Sequence, residues 1–137
     1  MQLNAYLGFD DQCEAAFRFY HEVLGGTLET LMRFGDTPAC DHVPESHRDR
    51  IMHARLVVGQ AALMGSDSVP QHPFEGIKGV SIAINVDSIA EAERVYNGLS
   101  EGGHIIMPLG QTFWAARYGM FVDRFGVSWM VNCEKDA

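Results

Sequence analysis

The chain has few cysteines and no Cys-x-x-Cys spacing among them. Its three thiols, Cys13, Cys40 and Cys133, are an odd number that internal bridges cannot consume. Reduced thiols are therefore expected, with packing the natural role for such small groups. Positive charge is also scarce: 10 Lys and Arg stand against 18 Asp and Glu, a formal charge of -8. A surface so charged repels phosphate backbones and anionic lipids, so neither nucleic acid nor membrane partners are expected. Hydrophobic runs of membrane-spanning length are missing too. The start, Met1-Gln-Leu-Asn-Ala-Tyr6, has neither the basic nor the apolar segment of an export signal, and a cytoplasmic address is the expectation.

What is present is the balance of a soluble globular domain, with 47% hydrophobic and 20% charged residues over 137 positions. That length is most economically one compact unit, residues 1–137, able to bury a real core. Residues 3–9 alternate as a strand, and Asp10 and Asp11 suit the cap of a following helix. Cys13, Ala16, Phe17, Tyr20 and Leu24 then form one apolar stripe at helical spacing, stopped by Gly25-Gly26. A strand over 27–34 leads into a long polar loop over 35–50, which has room for a helical turn near Pro44-Glu45. Residues 51–58 and 61–64 form a hairpin turning at Gly59-Gln60.

After a connector the plan repeats. Residues 80–86 are a strand, Asp87 is a credible cap, and Ile89, Ala92, Val95, Tyr96 and Leu99 make a second helical stripe ending before Gly102-Gly103. Aligning Tyr20 with Tyr96 also aligns Arg18 with Arg94 and Ala16 with Ala92. Each half therefore has the order βαβββ, the first over about 1–67, the connector over about 68–79 and the second over about 80–134. The fold expected is α+β: paired βαβββ modules forming an open, barrel-like, curved mixed sheet with the helices outside.

The second module closes on a hairpin, residues 118–122 and 127–132, turning through Asp123-Arg-Phe-Gly126. Before it stand Phe113-Trp-Ala-Ala-Arg117, two large aromatics and a guanidinium. This stretch resembles the Phe-Trp-Gly-Ala-Arg-x-Gly and Asp-Pro-Phe-Gly-x-x-Trp pattern of PhnB-like proteins. Those are a branch of the glyoxalase/bleomycin-resistance/extradiol-dioxygenase, or vicinal oxygen chelate, superfamily. Ala115 replaces the usual Gly and Arg124 the usual Pro, while His53-Ala-Arg-Leu56 is similar to a further family strand. The resemblance spans nearly the whole chain and implies a homodimer, with modules exchanged between partners in some relatives.

The resemblance also implies where a metal would sit, on the first and last strands of each module. Those places fall at Asn4 with Leu3 and Ala5, at Leu63 or Met64, at Ser81 with Val80 and Ile82, and at Met130 with Trp129 and Val131. A register slip of one residue brings no His, Glu, Asp or Gln into any of them, so no metal and no other cofactor is expected.

Other residues supply candidates. Period two puts His53 on one strand face with Arg55 and Val57, a pair able to hold an anionic oxygen and move a proton; His53 is the catalytic candidate. The plainer reading is the polar outer face of an edge strand. Trp114 and Arg117 are candidates for a pocket roof and an anion clamp; the alternative is Phe113 and Trp114 filling a sheet-to-helix gap while Arg117 pairs with a surface acid. Tyr6 and Asp67 lie near strand ends and complete the ligand-binding candidates. Trp129 is expected in the core with its indole N–H on a carbonyl. His42 and His47, with His53, have the spacing of solvated loop groups rather than of a metal cluster.

The function expected is a PhnB-like protein binding a small anionic or aromatic metabolite in a metal-independent pocket. The alternatives are a metal-dependent lyase, isomerase or dioxygenase using unusual ligands, and a protein that sequesters a drug or toxin. PhnB-like chains are sometimes named after phosphonate metabolism or a ubiquinone methyltransferase. This sequence has neither a phosphate-cradling glycine loop nor a methyl-donor motif.

Overall fold

A computed structural model describes residues 1–135 and divides the chain into two compact units, Met1–Gly76 and Ile77–Ala137.

The first unit runs β1 (Ala5–Phe9), α1 (Cys13–Leu24), β2 (Thr27–Arg33), β3 (Ile51–Val58) and β4 (Ala61–Asp67). Its sheet has the order β1-β4-β3-β2, with β1 parallel to β4 and the other pairs antiparallel. The apolar stripe of α1 is the reason it packs: Cys13, Ala16, Phe17 and Tyr20 are fully buried, Phe17 meeting Phe9 edge to face with ring centroids 6.2 Å apart. Full burial of a side chain the size of Phe17 stabilises by about 1.5–3 kcal/mol. Gly65 of β4 permits the close approach, since a Cβ there would lie 2.8 Å from the Phe17 ring.

The second unit repeats the plan: β5 (Ile82–Val86), α2 (Ile89–Ser100), β6 (His104–Gly110), β7 (Ala115–Val122) and β8 (Ser128–Glu134), in the order β5-β8-β7-β6. Again the first and last strands pair in parallel. Ala92, Val95, Tyr96 and Leu99 are buried, and Tyr96 stands edge-on to Phe121 at 5.1 Å while its hydroxyl donates to the Met107 carbonyl. Both sheets are mixed and open, each with one helix, as the α+β expectation requires.

The helix caps differ from expectation. Neither Asp10 nor Asp11 caps α1: Gln12 holds the N-cap position without a side-chain bond, and Asp11 turns the chain at a φ of 62°. The acceptor comes instead from Asp67, distant in sequence, whose Oδ1 receives the Cys13 N–H at 3.0 Å. In the second unit Ser88, not Asp87, is the N-cap and accepts from the Glu91 N–H at 3.1 Å. The loop after β2 holds three short 3-10 turns, Phe34–Asp36, Pro38–His42 and Glu45–His47. Phe34 and Val43 anchor it to the core.

Candidate functional site

In the first unit the alternation of β3 decides which groups reach the open face. Ala54 and Leu56 are fully buried toward α1, so His53, Arg55 and Val57 project from the other side and are half-buried. The register of the sheet then sets Met32 beside His53 and Met64 beside Arg55, with Tyr6 next to Met64. Tyr6 stacks on the His53 imidazole, ring centroids 5.8 Å apart and planes at 23°. The Tyr6 hydroxyl lies 3.2 Å from His53 Nδ1. When Tyr6 donates, Nδ1 accepts and Nε2 carries the ring proton; a protonated His53 reverses the bond. Arg55 stands 3.6 Å from Glu29 and donates toward the Met64 sulfur at 3.7 Å. The face thus combines a proton-carrying ring, a phenol, a cation and thioethers.

Asp67 is placed elsewhere. It is only 5% exposed, and while Oδ1 receives Cys13, Oδ2 receives the Ile51 N–H at 2.8 Å. Its carboxylate ties the start of α1 to the start of β3. Burial and the neighbouring carboxylates of Asp67 and Glu14 push the Cys13 thiol pKa well up, which leaves it an inert packing group.

In the second unit Trp114 and Arg117 are not brought together. Trp114 meets Tyr118 at 5.3 Å and Phe113 at 4.8 Å. Trp114 is 48% and Phe113 87% exposed, so neither fills a gap under the helix as the plainer reading held. Among the described residues Arg117 forms no ion pair; its guanidinium donates to the Ala116 carbonyl at 2.7 Å. With Ile89, Gln111, Ala116 and Lys135 it lines a hollow of about 300 Å³. Trp129 is buried as expected, but its indole N–H meets a carboxylate, Asp123 Oδ2 at 2.8 Å, and not a carbonyl.

The register of the parallel pairs brings Ala5 to Leu63, Tyr6 to Met64, Ile82 to Trp129 and Ala83 to Met130. A phenol, thioethers and alkyl groups do not fit a divalent ion that asks for imidazole or carboxylate. Two residues further along β5 and β8, on the face of Ala83 and Met130, Asn85 pairs with Asn132; their amides bond at 3.2 Å, and the buried Asn132 Oδ1 has no donor. Sequence reasoning missed this pair; two asparagines at matching places in the first and last strands of one module were the available signal.

Comparison with known proteins places these observations in a group. The sequence model described as 3-demethylubiquinone-9 3-methyltransferase matches residues 2–132. Protein YjdN of Escherichia coli K12 is 29% identical over 98% of this chain and 97% of its own. The crystal structure of PA1353 from Pseudomonas aeruginosa is 60% identical, covers 99% of both chains and has a TM-score of 0.92. A putative 3-demethylubiquinone-9 3-methyltransferase, PhnB protein, from Bacillus cereus shares the fold at 22% identity, covering 97% of this chain and 99% of its own, TM-score 0.79. So does a glyoxylase/bleomycin resistance protein/dioxygenase domain from Frankia sp. EAN1pec at 15% identity, covering 98% of both chains, TM-score 0.68.

Proposed function

Because the chain belongs to the PhnB-like family, the one described as 3-demethylubiquinone-9 3-methyltransferase, with the glyoxalase/bleomycin-resistance fold, we propose that it binds a small anionic or aromatic metabolite without a divalent ion. Binding takes place on the open face of β1, β3 and β4. The observation that carries this reading is the stacked, hydrogen-bonded Tyr6 and His53 pair on the face that also bears Arg55. Arg55 supplies the charge for a carboxylate or enolate oxygen, the Tyr6 and His53 rings a flat wall, and the His53 imidazole a ring nitrogen that can donate or accept a hydrogen bond. Met32 and Met64 give the face a soft, adaptable lining. Asp67 has no part in it, both its oxygens being engaged by backbone amides.

The experiment is a thermal-shift screen of anionic and aromatic metabolites, followed by titration of each hit into wild-type protein and the Tyr6→Phe, His53→Phe and Arg55→Gln variants. Loss of one hydrogen bond or charge contact is expected to weaken binding about tenfold, with no effect of chelator. Unchanged affinity in all three variants would reject the site. Mass analysis of the recovered compound separates conversion from sequestration.

The reading extends to a cytoplasmic homodimer. The homodimer is supported by β6, a seven-residue edge strand that exposes Ile105, Ile106 and Met107 side by side. An apolar edge of this kind is a liability unless something covers it.

A further inference from the structure

The hollow at the start of α2 is distinct from the face described above, lies wholly within the second unit, and is lined by both a guanidinium and an ammonium, Arg117 and Lys135. Its place follows from the local fold. Arg117 pairs in register with Cys133, which is buried, and Gly119 and Phe121, two and four residues further along β7, are buried beneath α2. Strand alternation therefore carries Arg117 to the helix side, where Ile89 opens α2. Ser88 satisfies the Glu91 N–H, while the first-turn amides of Ile89 and Ala90 have no acceptor within the helix. Gln111 completes the lining.

The charges here run against the rest of the molecule. In a chain with 18 acids and 10 basic residues, an Arg and a Lys line one hollow, and among the described residues neither forms an ion pair. Two like charges beside the positive end of a helix repel one another, and an anion between them relieves all three. The volume, about 300 Å³, is at the small end for ligand pockets and suits a phosphate monoester or a short carboxylic acid rather than a polymer.

We propose that Arg117, Lys135 and Gln111, at the first turn of α2, form a binding site for the oxyanion group of a small phosphorylated or carboxylated metabolite. The guanidinium fork meets two oxygens, and the ammonium and the helix amides meet the others.

The test is titration of the isotope-labelled full chain with inorganic phosphate and, separately, with acetate, at constant ionic strength set by chloride. The amide signals of Ile89, Ala90, Gln111 and Arg117 are followed. Saturable shifts with at least one anion are expected, phosphate or acetate marking which source is preferred. Binding should weaken about tenfold in Arg117→Gln and weaken also in Lys135→Gln, a change at an exposed residue that leaves the fold intact, because each variant removes a charge-assisted contact. It should persist in His53→Phe and in Lys78→Gln, which removes an exposed cation outside the hollow. Linear, unsaturable shifts with both anions would overturn the site. So would affinity unchanged in Arg117→Gln and Lys135→Gln, or an equal loss in Lys78→Gln.

Discussion

A carboxylate is tolerated in a protein interior only where donors meet its oxygens. Asp123, 3% exposed, meets three: the Phe125 and Val127 amides on Oδ1 and the Trp129 indole on Oδ2. It thereby holds the β7–β8 turn and the largest core side chain in one arrangement. Asp123→Ala should cost about 2–4 kcal/mol, because it removes the acceptor from the buried Val127 amide and Trp129 indole and from the part-buried Phe125 amide, and Asp123→Asn less. Urea unfolding followed by tryptophan fluorescence checks this, and a loss below about 0.5 kcal/mol, the size of an ordinary surface change, would contradict it. Asp67 does the equivalent work in the first unit. Both roles were hidden in the sequence, where an aspartate at a strand end looks the same whether it faces solvent or caps a helix 54 residues away. His53 was easier to place. Period two along 51–58 puts it opposite Ala54 and Leu56 whatever the partner strands do; its contact with Tyr6, 47 residues distant, needed the parallel register.

At the scale of elements, both helices and the repeated strand order were legible, because the apolar stripes of α1 and α2 recur at helical spacing and each is stopped by a Gly pair. The caps were not. Cap choice depends on which acceptor reaches the first-turn amides, and at α1 that acceptor belongs to another element. Trp114 and Arg117 are close in sequence, yet the onset of β7 at Ala115 sends Tyr118, with Trp114 on it, and Arg117 to opposite faces. The exposed edge strand β6 could not be foreseen as exposed, since an apolar run is the same in a buried strand and an edge one. If a second copy covers it, Ile106→Asp, at a residue 54% exposed and therefore harmless to the core, should shift the protein from dimer to monomer in sedimentation equilibrium. A wild-type chain that sediments as a monomer at every concentration would contradict the homodimer.

For the whole molecule, descent and chemistry separate. Family membership and fold rest on a match over residues 2–132 and on the two βαβββ units; function has to come from the side chains that now occupy the sheet faces. Alkyl groups, thioethers, a phenol and a pair of amides stand where an ion would need imidazoles and carboxylates, and the titratable ring that does face outward is bonded to Tyr6. Elemental analysis of protein purified without chelator is the most direct test of this claim. Metal far below one equivalent per chain, and metabolite binding indifferent to chelator, is the predicted result. Near-stoichiometric zinc, iron, nickel or manganese, lost together with binding on chelation and restored by one divalent ion, would contradict it.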